Sequence, residues 1–195
     1  MSNVVDLILM SPFTLFLFIH IISLVVGFGT VLVTDFFGFL WMRRTISKAV
    51  LTQVTRNTKK LIWLGYVGLV ASGVGLLIMK GYVDNLTKIK LFFVLMVGVN
   101  GIFLHLIDKR FAQFATDYQM PPSLKWRVIV AMMISQVGWW GAVLIGFIHH
   151  EWQSYIPWPD NPWLYMVYVV ATFIFLTLAT KIILGKEKPD VTRSL

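Results

Sequence analysis

Residues Pro12 to Trp41 read PFTLFLFIHIISLVVGFGTVLVTDFFGFLW, an unbroken apolar run whose only ionisable side chains are His20 and Asp35. About 20 apolar residues in a helix cross the ~30 Å of bilayer hydrocarbon. This run exceeds that length, so it reads as a membrane span with room to tilt or to project. Backbone polar groups have no water to bond in lipid, which makes the span a helix rather than an open strand.

Four more runs follow: Leu61 to Met79, Ile89 to Ile107, Val128 to Ile148 and Trp163 to Leu184. The expectation is an all-α, polytopic transmembrane bundle of five spans forming a single domain over residues 1–195. Composition agrees, since the chain is 57% hydrophobic and 13% charged, whereas soluble domains are about a quarter charged. Residues Met1 to Met10 hold Asp6 and no Lys or Arg, unlike the basic start of a cleaved signal peptide. No tandem repeat stands out.

The net charge of +8 lies between the spans, not on a soluble face. That pattern points to membrane topology and away from nucleic acid. Arg43, Arg44, Lys48, Arg56, Lys59 and Lys60 follow the first span. Lys109, Arg110, Lys125 and Arg127 follow the third, and Lys186, Lys188 and Arg193 follow the fifth. The loop from His149 to Pro162 has no Lys or Arg. By the positive-inside rule the N-terminus lies outside and the C-terminus in the cytoplasm, in a bacterial-type inner membrane. The loop between spans four and five holds Trp152, Tyr155, Pro157, Trp158, Pro159 and Pro162. It reads as a rigid aromatic turn at the interface.

Cysteine is absent, which excludes disulfides, thiolate metal sites and iron–sulfur clusters. The four histidines are His20, His105, His149 and His150. Ionisable groups inside a membrane are costly and mark functional sites, and imidazole is a common metal and haem ligand. In the N-outside orientation His20 and the His149/His150 pair fall on the outer side. Two such imidazoles suit the axial positions of a b-type haem, with His20 and His149 the candidate iron ligands and His150 the alternative. Lys90 lies in the same layer, where it suits a propionate or a substrate carboxylate. Asp35 and His105 lie on the inner side as a candidate polar pair for proton movement.

Helical phase groups His20, Gly27, Val31, Thr34 and Asp35 on one face of the first span, and Lys90, Gly98, Gly101 and His105 on one face of the third. Gly65, Gly68, Ser72 and Gly75 recur at 3–4 spacing in the second; Ser135, Gly138, Ala142, Gly146 and His149 form a stripe in the fourth. Small residues let membrane helices approach closely. Gly27 and Gly29 near His20 would also make room for a flat macrocycle.

Phe18 to Phe28 (FIHIISLVVGF) and Lys88 to Asn100 (KIKLFFVLMVGVN) resemble the histidine-bearing first helix and the lysine-led helix of a superfamily of small bacterial membrane proteins. It includes HemJ-type protoporphyrinogen oxidases and CopD-type copper-resistance proteins. The resemblance implies that His20 and Lys90 correspond to the intramembrane His and Lys linked to haem binding in the HemJ branch. The tryptophan that usually follows the His is absent, and Thr34, Asp35 and Phe36 replace a basic, aromatic continuation. This points away from the HemJ reaction and toward a haem-binding bundle more broadly.

The expected function is therefore a membrane b-type haem redox protein, with porphyrin or quinone as electron partner. Copper or other metal transport is one alternative, since imidazole and thioether suit copper and Met79, Met96, Met132 and Met133 lie in or near spans. A non-catalytic subunit or assembly factor of a membrane complex, or a homo-oligomer, is the other. No nucleophile–base constellation or phosphate loop is visible.

Overall fold

The structure is a computed structural model and describes residues 11–114, 121–151, 155 and 161–185, without the side chains of 109–112, 149–150, 176 and 179–185. The described residues form five helices and no strand: α1 (Pro12–Met42), α2 (Lys48–Lys80), α3 (Asn85–Ala112), α4 (Pro122–Glu151) and α5 (Pro162–Gly185). The first four are each long and apolar enough to cross a membrane; the apolar stretch found in α5, Pro162–Phe175, is shorter. A multi-pass membrane protein follows from these lengths.

Local chemistry sets the helix ends. Pro12 opens α1, a position where its missing N–H costs nothing. Arg44 adopts a left-handed φ of 60°, its N–H bonds Trp41 O at 2.8 Å, and the Thr45 N–H reaches Leu40 O at 2.9 Å. This is the Schellman closure, with arginine where glycine is usual. The Ser47 hydroxyl accepts the Val50 N–H at 3.4 Å and caps α2. Gly81, at φ 76°, ends it. The helix of α2 thus begins at Lys48, well before the apolar run at Leu61. Its polar first turns are good helix formers, so hydropathy marks the span and not the helix.

The chain divides into two compact units, Met1–Asp84 and Asn85–Leu195. In the first, α1 and α2 pair antiparallel along a seam of constant register. A side chain at Gly75 would meet the Phe16 ring, one at Gly68 would meet Ser23, and one at Gly65 would strike the backbone of Gly27. His20 bonds Ser72, and Thr34 bonds Thr58 at 2.9 Å. Each pair of numbers adds to 91 or 92. Interfaces of this kind let dispersion and backbone proximity replace the hydrophobic drive that lipid removes.

In the second unit α3 pairs antiparallel with α4. Gly138 faces Val97 and Met96, Gly141 faces the Phe93 ring, and Gly146 faces the end of Lys90. Deeper along the seam the Asn100 amide donates to Ala131 O at 2.8 Å. Helix α5 joins through its first turns: Met166 packs with Leu86, Ile89 and Ile145, and Phe92 and Phe93 flank the cluster. Beyond Met166 the described side chains of α5 are mostly exposed.

Candidate intramembrane site

His20 sits two turns into α1, half-buried against α2. Its Nδ1 lies 3.0 Å from the Ser72 hydroxyl. That oxygen is in turn 2.6 Å from the carbonyl of Gly68, and Ser72 is 2% exposed. Two oxygens at 2.6 Å need a proton between them, and the hydroxyl has one to give. Ser72 therefore donates to Gly68 O and accepts from His20, so Nδ1 of the imidazole carries a proton. In the neutral ring the lone pair then belongs to Nε2. A histidine ligand is ordinarily oriented in this way, through a hydrogen bond on the other ring nitrogen.

The ring also rests on α2 at Gly73, where an added Cβ would lie 3.5 Å from Cε1. The residues around His20 thus hold one imidazole ring against α2. Gly27 does not supply room for a macrocycle, because its backbone is in contact with the Gly65 position of α2. An added Cβ at Gly29 would meet nothing within 4 Å, so that glycine leaves one open patch on the helix.

Lys90 occupies the second turn of α3. Its Nζ would lie 3.4 Å from a Cβ placed on Gly146, so an ammonium reaches across the seam onto the backbone of α4. Neighbouring lysines are engaged differently: Lys80 pairs with Asp84 at 2.8 Å, and Lys88 bonds Asn85 Oδ1 at 3.2 Å.

The remaining candidates are placed as follows. Asp35 is half-buried on α1, one residue past the Thr34–Thr58 pair, and His105 is exposed on α3. They belong to different units, as do His20 and Lys90. His149 and His150 lie in the last turn of α4, and their side chains fall outside the described residues. So does most of the aromatic loop, of which Tyr155 is described as exposed and Pro162 as the first residue of α5. Among the described residues no three His, Cys, Asp or Glu side chains gather as a metal cage.

Helical phase missed one participant, Ser23, while Asn100 makes the helix–helix hydrogen bond that a mid-span amide implies. Ser23 belongs to the α1 seam opposite Gly68, and Asn100, 5% exposed, holds α3 to α4. The Asn100 Oδ1 and Trp126 Nε1 atoms are buried without a hydrogen-bond partner. The polar residue in an apolar stretch was the available signal for both Ser23 and Asn100.

Comparison of the chain with family models, with curated proteins and with solved structures finds no match to any of them.

Proposed function

We propose that the protein is a bacterial inner-membrane haem protein with five spans, its N-terminus outside and its C-terminus in the cytoplasm. The fixed tautomer of His20 carries this reading: an intramembrane imidazole whose Nδ1 proton is bonded to Ser72 keeps Nε2 as the ligating atom. A bound b-type haem would supply one-electron chemistry. His20 would supply an imidazole nitrogen to hold it. Haem asks little of the polypeptide, because the porphyrin fills the equatorial positions of iron. A copper or zinc cage asks for three or four side chains, and the described residues gather no such set. Met79, Met96, Met132 and Met133 are not arranged as paired relays, which ranks haem above metal transport. Membership of the HemJ and CopD superfamily is part of the same proposal, with the HemJ reaction itself left aside.

The test is a reduced-minus-oxidised visible spectrum of the protein purified in mild detergent from haem-replete cells. A b-type α band that is lost in His20→Ala supports the reading. A colourless preparation refutes it. Reporter fusions after Arg44, Lys80 and Gly185 check the orientation: cytoplasmic, external and cytoplasmic signals, in that order, are expected.

A further inference from the structure

The two seams superimpose residue for residue in the sequence. His20, Ser23 and Gly27 become Lys90, Phe93 and Val97 on adding 70, and Gly73, Gly68 and Gly65 become Gly146, Gly141 and Gly138 on adding 73. The contacts follow the same arithmetic. Gly73 faces His20 as Gly146 faces Lys90; Gly68 faces Ser23 as Gly141 faces Phe93; Gly65 faces Gly27 as Gly138 faces Val97.

The sequence around these glycines agrees. Gly65 to Gly73 is GYVGLVASG and Gly138 to Gly146 is GWWGAVLIG, identical at three glycines and a valine, with an aromatic residue second in each. Three outward positions match, although Ile19 is 40% exposed and its counterpart Ile89 6%. Ile21 and Leu91 are 49% and 47% exposed, Val25 and Leu95 are 64% and 63%, and Phe36 and Leu106 are 57% and 58%. The contacts and the shared motif agree on the same two offsets. Internal repeats are a common way of building membrane domains.

We infer that α3–α4 is a second copy of the α1–α2 hairpin, that Gly146 is the counterpart of Gly73 as the seat of a basic side chain, and that Ser72 is the positioning residue that decides which nitrogen of His20 bears the proton. The counterpart of Ser72 is Ile145, buried among Leu86, Ile89 and Met166. The first seat therefore sets a hydroxyl beneath its basic side chain. The second sets an apolar side chain in that place, next to the Lys90 chain. The two seats differ in the basic side chain and in the residue that precedes the glycine. This inference goes beyond haem and stands whether or not haem is the ligand.

The experiment is ¹⁵N NMR of histidine-labelled protein from haem-deficient cells, so that no iron broadens the ring signals. The Nδ1–H tautomer is expected at His20 in the natural chain and in Ser72→Thr, and the usual Nε2–H form in Ser72→Ala. Lys90→His is expected to add a ring in the Nε2–H form, and Lys90→His with Ile145→Ser is expected to convert it to Nδ1–H. His20 keeping its tautomer in Ser72→Ala overturns the positioning role. An introduced ring that ignores Ile145→Ser overturns the equivalence of the seats.

Discussion

Gly65→Ala and Gly29→Ala make the same chemical change on helices of the same hairpin, and they should move stability in opposite directions. Alanine is favoured over glycine in a helix by about 1 kcal/mol. At Gly29 nothing lies within 4 Å of the added carbon, so that preference stands alone and the expected effect is between zero and about 1 kcal/mol of stabilisation. At Gly65 the carbon meets Gly27 N and Cα and lies 2.8 Å from the Ser23 carbonyl oxygen. These are backbone atoms, and no rotamer change moves them away. Overpacking costs about 1–3 kcal/mol, and the upper half of that range applies where only helix separation gives relief. The net is about 1–2 kcal/mol of destabilisation, a factor of roughly 5–30 in the folded ratio. Reversible unfolding in mixed micelles, followed by tryptophan fluorescence, reads the difference. Equal stability of the two variants would refute the seam.

Other consequences are equally direct. Gly141→Ala places a carbon 2.7 Å from the Phe93 ring; pairing it with Phe93→Leu should recover most of the loss, with a coupling energy of about 0.5–3 kcal/mol in a double-mutant cycle of unfolding measurements. Asn100→Leu removes a hydrogen bond and a buried unpaired oxygen together, so it should cost less than about 1 kcal/mol; Asn100→Asp, which sets a carboxyl against the Ala131 carbonyl, should cost about 2 kcal/mol or more. Arg44→Gly relieves a left-handed residue and should raise stability by up to about 1 kcal/mol, seen as a higher unfolding midpoint. Met166→Ala should loosen the start of α5 before the other helices, read as faster proteolysis there at unchanged helicity.

Helix identity was legible because hydrocarbon length is a strict ruler; register was not. The stripe of Gly65, Gly68 and Ser72 does face α1, and Gly138 and Gly146 do face α3. On α3, however, the seam runs through Lys90, Phe93, Val97 and Asn100, and of the face expected there only Lys90 makes one of these contacts. Glycines on α4 are filled by large residues on α3, so a search for small residues on both partners looks in the wrong direction. His105 ends up exposed for that reason. The repeat escaped detection because its two helices shift by different amounts. The connection from Gly27 to Gly65 is three residues shorter than that from Val97 to Gly138, and a scan at one fixed period sees only half of each copy. The tautomer of His20 depends on Ser72, 52 residues away, and helical phase within one span says nothing about such a partner.

The α1–α2 seam runs from Phe16 to Thr34, 18 steps of 1.5 Å or about 27 Å. That is close to the whole depth of the hydrocarbon. A hairpin stitched over its entire immersed length cannot slide one strand of the stitch past the other to suit a thinner or thicker membrane. Its answer to mismatch is to lean as a rigid plank or to deform the lipid around it. Bilayer thickness then becomes a mechanical input that tips His20 and Ser72 together without altering their distance. Reconstitution in lipids of graded chain length should change the tilt of this hairpin and leave its internal hydrogen bonds untouched.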